Sequence, residues 1–264
     1  MQKVWALLVL SLPVVTASPV RAFDITTCGA TVPPGEIGVL QADLVCGGGN
    51  AVELQSGATL DLNAHVLTLA DPGAVVWCSE KSCTVRSSAA TRGRVVGTYE
   101  SSCVYGIDVV RRVVLENVEI SHCEGGVNFR KARVWATDVD VSDCSYFAML
   151  AQSLDLLNVT MQDTGEYGPG ASKAIRGKNV RLTNCGEGIY TDGRVRIDGL
   201  LAQGNAEYAV YSGSLALENS TLSANSIDVS TSRRPRLLAT SCDRSERHDP
   251  FGTQIGTWGV CALD

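Results

Sequence analysis

An internal repeat constrains this chain more than any other feature. Asn117-Val-Glu-Ile-Ser-His-Cys123, Asp138-Val-Asp-Val-Ser-Asp-Cys144 and Asn179-Val-Arg-Leu-Thr-Asn-Cys185 align without gaps. The residue closing each unit, its anchor, recurs at Cys83, Cys103, Cys123, Cys144, Thr164, Cys185, Asn205 and Asn225, 20 or 21 residues apart, and Asn63 fits one register earlier. A fixed period of this length is the signature of a solenoid, in which each unit buries its apolar face only by stacking on its neighbour.

Apolar residues hold fixed slots within the unit. Ten before the anchor stand Val113, Val134, Leu154, Ile175, Val195 and Leu215. Five and three before it come Val118 and Ile120, Val139 and Val141, Val159 and Met161, Val180 and Leu182. Four after it come Ile107, Val127, Ala148, Ile189, Ala209 and Val229. Alternate spacing in short runs predicts up to three short strands per unit, and no helical period competes with it. The fold class is therefore all-β: a single-stranded parallel β-helix of about nine rungs. Identical slots then stack as ladders, and asparagine amides can bond along such a column. Residues 51–231 carry the repeat. Residues 23–50 and 232–264 lack it and are expected as caps over the open ends, where bare strand edges invite other chains.

Composition agrees. Apolar residues at 45% and charged residues at 19% exclude a disordered chain. An acidic balance, net −6, argues against a nucleic-acid binder. Residues 1–22 read as a secretory signal peptide: Lys3, an apolar run from Val4 to Val15, then Val20-Arg21-Ala22 as the small-x-small cleavage site. That run is broken by Ser11 and Pro13 and is shorter than the roughly 20 residues a membrane span needs. No membrane span is expected.

Export makes disulfides of the ten cysteines reasonable. Cys28 and Cys46 bracket a turn near the mature N-terminus, and Cys242 with Cys261 brackets the tail; both pairs are expected to staple the caps. Cys78 and Cys83 are spaced to close a small loop. Cys123 and Cys144, on adjacent rungs, either bridge or stand as small apolar residues in the anchor ladder, whereas Cys144 and Cys185 are two rungs apart. With no CxxC pair and three histidines, structural zinc is not expected.

Several segments resemble the right-handed parallel β-helix proteins of the pectin-lyase-like superfamily, in particular secreted bacterial right-handed β-helix repeat proteins. These are Cys28-Gly29, Pro34-Gly35, Ala42-Asp-Leu-Val-Cys46, Thr59-Leu-Asp-Leu-Asn-Ala-His65 and Thr257-Trp-Gly-Val-Cys261. Ala64 replaces a glycine usual in that family. The resemblance implies fold more than activity. The NTD, DD, GHG and RIK strings of polygalacturonase-like hydrolases do not occur, and His248-Asp249-Pro250 only scrambles the DPHD string of alginate epimerases.

Two outward columns carry charge. Glu119, Asp140 and Arg181 fall four before their anchors, and Asp143 and Asp163 one before. Acids one rung apart, about 5 Å, repel unless screened by water or bound to a cation, and hard oxygen ligands suit Ca²⁺. The column is either a solvated acidic face or the cation site of a lyase or epimerase, with Arg181 helping to abstract a uronate proton. The second column is basic. Arg112, Arg133 and Arg194 fall eleven before their anchors, and Trp135, Arg176 and Arg196 nine before. Arginine forks suit carboxylates and sulfates, and an indole offers a sugar a flat face. The same charges would also protect strand edges.

The sequence thus leads to a secreted protein that binds extracellular anionic polysaccharide or a cell surface without catalysis, as a monomer and with no required cofactor. A Ca²⁺-dependent polysaccharide lyase or epimerase is the alternative, and a structural or adhesion element the third. Asn158-Val-Thr160 and Asn219-Ser-Thr221 match glycosylation sequons.

Overall fold

A computed structural model describes residues 21–264, so nearly all of the expected signal segment lies outside the described residues. The described chain is a parallel β-solenoid of about ten turns with no α-helix. Its pairing resolves into three faces that run the length of the stack. Face A includes 49–54, 73–78, 102–106, 167–171, 189–191, 208–212, 227–231 and 245–248. Face B includes 58–61, 82–86, 112–116, 153–157, 174–178, 194–198, 214–218 and 236–238. Face C includes 66–69, 93–96, 118–121, 159–162, 180–183, 200–203 and 221–223.

Two of the three corners are single residues in the left-handed region. Between faces B and C stand Asn117, Asp138, Asn158, Asn179, Gly199, Asn219 and Ala239, with φ between 47° and 76°. Between faces C and A stand His122, Asp143, Asp163, Asn184, Gly204 and Ala224, with φ between 53° and 68°. A left-handed residue costs most side chains about 1–2 kcal/mol, and Gly, Asn and Asp bear it best. This explains the repeat. The Asn or Asp that opens each aligned unit and the polar residue before each anchor are corner residues, chosen for backbone conformation. They also bond between turns: Asn179 Nδ2 donates to Asn158 Oδ1 at 2.9 Å, Asn158 Nδ2 to Asp138 Oδ1 at 2.9 Å, and Asn184 Nδ2 to Asp163 Oδ1 at 3.2 Å.

The inward slots form one aliphatic core. Val113, Val134, Ile175, Val195, Ile120, Val141, Met161 and Leu182 are all fully buried. The narrow lumen accepts small side chains, and Phe129 and Phe147 are the large exceptions. Backbones approach closely: a Cβ on Gly126 would lie 2.5 Å from the Ala148 carbonyl oxygen and 2.7 Å from Val141 Cγ1. The anchors point inward, as Cys123, Cys144, Thr164, Cys185 and Asn205 are buried. Asn205 Nδ2 donates to Asn225 Oδ1 at 2.7 Å, and Asn205 Oδ1 accepts from the Cys185 N–H at 3.1 Å, so the amide ladder expected along this column is present.

The register corrects the repeat at its N-terminal end. Cys83 pairs with Val113, ten residues before an anchor, and Cys103 lies between Ser102 and Val104, which pair with Gly125 and Val127. Neither is an anchor. The slot above Cys123 holds Ser101, whose carbonyl accepts from the Glu124 N–H. Ile107, assigned inward by counting from Cys103, is accordingly 40% exposed. The early turns are longer than 20 residues: Val52 pairs with Val76, Val76 with Val104 and Val85 with Leu115.

Parallel pairing also runs through both segments expected as caps. Residues 30–32, 37–40 and 44–46 stack on the next turn, and 236–238 and 245–248 on the previous one. Only residues 254–256 reverse, pairing antiparallel with 245–248 and covering that edge. The Asp264 carboxylate ties the tail down, accepting from the N–H groups of Val260 and Cys261 at 2.8 and 2.9 Å.

Disulfides join Cys28 to Cys46, Cys78 to Cys83, Cys103 to Cys123 and Cys242 to Cys261. The two expected staples are present, as is the small loop. Cys123 bonds to Cys103 rather than to Cys144, and Cys144 and Cys185 are buried free thiols. Burial pushes the Cys144 thiol up to about 12, which removes its thiolate and its reactivity at neutral pH.

Candidate functional site

The basic column lies on face B, and it divides in two. Arg112 and Arg133 place their guanidinium carbons 5.1 and 4.5 Å from the Trp135 ring centroid. Arg133 also donates to Asp155 at 2.5 Å, and that hydrogen bond holds Arg133 above the ordinary arginine range. Trp135 is therefore engaged by cations of its own chain, which leaves little of the indole as a sugar platform. Arg176 reaches the same Asp155 at 3.9 Å.

Further along, Lys173, Arg176, Arg194 and Arg233 surround a depression of about 320 Å³ at the corner between faces A and B, with Asp192 as its one acid. Its floor includes Gly193 and Gly213, where the turns pack too closely for side chains. Among the described residues Lys173, Arg194 and Arg233 form no ion pair. Arg196 lines an adjoining depression with Arg176 and Asp198. Of the six basic-column residues, then, Arg176, Arg194 and Arg196 are brought together, while Arg112, Arg133 and Trp135 form a separate stack.

The acidic column is held by partners from the chain itself. Glu119 accepts from Arg94 at 3.1 Å, and Asp140 is paired with Arg92. Asp143 faces His122 at 3.5 Å, and Asp163 accepts from Asn184. Arg92 and Arg94, on the loop and strand preceding the regular repeat, supply the countercharge that the sequence column lacks. Among the described residues no three His, Cys, Asp or Glu side chains converge as a metal-binding group. Arg181 lines a shallow depression with Arg92, Asn158 and Asn179 rather than facing all four acids.

Face A carries a feature that column counting missed. Tyr146, Tyr167, Tyr190, Tyr211 and His248 form a continuous aromatic ladder, with successive ring centroids 6.1, 5.4, 5.1 and 4.5 Å apart. Tyr190 and Tyr211 are stacked at 13°, and Tyr211 and His248 at 9°. Tyr146 and Tyr190 are exposed, and Tyr167 and Tyr211 half-buried. Alongside runs a row of glutamates: the Glu187 N–H bonds to the Glu166 carbonyl and the Glu207 N–H to the Gly186 carbonyl, so Glu166, Glu187 and Glu207 occupy successive turns. Their groove of about 410 Å³ includes Tyr167, Gly165 and Gly186.

The glutamates interact. Burial, then the charges of Glu207 and Glu166, push the Glu187 carboxyl up to about 7. Its Oε2 is shut off from solvent and has no hydrogen-bond partner. The Glu166 carboxylate, accepting from the Tyr146 hydroxyl, holds that phenol above its usual range. The sequence held half of this signal. Glu166, Glu187 and Glu207 each fall two after an anchor, but the tyrosines fall two, three, five and six after theirs, so no single slot reveals the ladder.

No protein-family model, curated protein or solved structure matches the chain. The shared ground with the β-helix proteins it resembles is the solenoid itself.

Proposed function

We propose that this chain is an extracellular polysaccharide-binding solenoid whose face B holds an anionic glycan, in the manner of a non-catalytic member of the pectin-lyase-like superfamily it resembles. One observation carries the reading: Lys173, Arg176, Arg194 and Arg233 ring one depression with a single acid among them. Guanidinium forks at fixed spacing are suited to carboxylates or sulfates repeated along a stiff polymer. Four disulfides and the absence of any helix long and apolar enough to cross a membrane among the described residues agree with export.

Binding to a sulfated glycan and to polygalacturonate, measured at rising salt and with or without Ca²⁺, tests this. Affinity is expected to fall with salt, and Arg194→Ala with Arg233→Ala to weaken it roughly tenfold or more, while Arg112→Ala, in the separate cation–π stack, changes it less. Binding that ignores both salt and the double substitution overturns the reading. Release of unsaturated uronides only with Ca²⁺ would instead favour a lyase.

A further inference from the structure

Face A points to a second ligand of opposite charge. Four tyrosines from successive turns form a column along the solenoid axis, their ring centroids 5.1 to 6.1 Å apart, with Tyr190 and Tyr211 stacked on each other. A surface column of this size is unusual on a chain whose core is almost wholly aliphatic, and Tyr146 and Tyr190 are exposed in it. Aromatic faces take the C–H face of a pyranose ring and also attract cations.

The charge beside the ladder selects between ligands. Glu166, Glu187 and Glu207 line one groove, and among the described residues none of them is in an ion pair. Glu187 Oε2 is enclosed, so the carboxylates open to solvent at this groove are those of Glu166 and Glu207, two turns apart. Like charges on adjacent turns repel an acidic polymer and favour a cationic one. This is the reverse of face B, so one glycan does not serve both faces.

We propose that face A binds a linear glycan bearing protonated amino groups, its pyranose rings along Tyr146, Tyr167, Tyr190 and Tyr211 and its ammonium groups against Glu166 and Glu207. An extended β-linked chain advances by about one ring per solenoid turn and flips alternate rings, so every second amine faces the carboxylate row, the spacing at which Glu166 and Glu207 stand. The ammonium hydrogens donate to carboxylates that form no ion pair among the described residues.

Calorimetric titration of the whole protein with a glucosamine hexamer, its fully N-acetylated counterpart and hexalysine tests the assignment. The glucosamine hexamer is expected to bind, the acetylated one to bind roughly tenfold or more weakly, and Tyr190→Ala and the pair Glu166→Gln, Glu207→Gln each to weaken the first by a similar factor. Tyr190→Phe keeps the ring and is expected to keep binding, which separates stacking from a folding defect. Absence of glucosamine binding overturns the proposal. Equal binding of the acetylated hexamer overturns its charge, and hexalysine binding as tightly with no loss in Tyr190→Ala overturns its sugar. Tyr190→Ala is expected to leave sulfated-glycan binding on face B unchanged, so failure of either face is read separately.

Discussion

The first third of the solenoid and the turns that follow are the same architecture held together in two ways. Up to Cys123 the turns are long and uneven, and three disulfides fall within them: Cys28–Cys46, Cys78–Cys83 and Cys103–Cys123. From Val134 to Val229 the turns are short and uniform, no disulfide occurs, and left-handed corners with amide ladders set the stack. Long connections cost conformational entropy and bring few contacts, and cross-links restrict the unfolded chain most directly there. Tight corners need no such help. The difference teaches that repetition in the sequence and covalent bonding are alternative ways of fixing the height of a rung.

Reduction tests that contrast with the largest expected effect. In the loop-entropy view a disulfide spanning 18 or 20 residues, as Cys28–Cys46 and Cys103–Cys123 do, is worth about 3 kcal/mol. Hydrogen exchange after reduction is expected to rise sharply over residues 28–123 and around the Cys242–Cys261 tail, while 134–229 stays protected. A solenoid couples mainly to nearest neighbours, so loss can stop at the boundary. Uniform loss of protection along the whole chain would show that the two regions are one cooperative unit.

The amide ladder is the counterpart in the regular turns. Asn205→Ala leaves the buried Cys185 N–H without its acceptor and removes one of the two bonds to Asn225 Oδ1, at a cost of about 1–3 kcal/mol. The same loss is expected in oxidised and reduced protein, measured as a shift in the urea midpoint at constant slope. A smaller step comes from the corners. Asn179→Val puts a β-branched residue at φ 54° and removes the bond to Asn158, for about 1–2 kcal/mol. Asn179→Gly is expected to recover most of it, because only the side-chain bond is then missing.

The contrast also explains what could be read in advance. From Val113 onward the apolar slots, the inward anchors and the three-strand turn follow from the sequence alone, because every turn solves one packing problem with the same spacing. Before Cys123 the 20-residue interval linking Cys83, Cys103 and Cys123 coincides with the later period without sharing its register; insertions after Arg86 and Gly106 carry those cysteines to other slots. Site features divide similarly. Arg176, Arg194 and Arg196 were legible as a column. The Arg92–Asp140 and Arg94–Glu119 pairs were not, since they join residues 48 and 25 apart across irregular turns. Asp143 and Asp163 stand where a corner requires φ above zero, so backbone geometry by itself accounts for their recurrence. The tyrosines stayed hidden because irregular connections shift them relative to their anchors, even where Tyr190 and Tyr211 pair in register.

The smallest effect probes how the regular turns tolerate charge. Glu187 titrates near 7 in the folded protein, against 4.5 ordinarily, because burial and the carboxylates of Glu207 and Glu166 disfavour its ionised form. The folded state therefore holds this proton more tightly than the unfolded chain does. Its contribution to stability is complete below about pH 4.5 and disappears as pH rises through 7. Solvent screening of a partly exposed group reduces the effect to about 1 kcal/mol. Glu187→Gln carries no titrating group and is expected to be the more stable protein at pH 8, with the difference vanishing at pH 4 and midpoints compared in urea at both. An identical pH slope in the two proteins would mean that the glutamate row relaxes apart on ionisation, and that the regular turns are less rigid than their ladders imply.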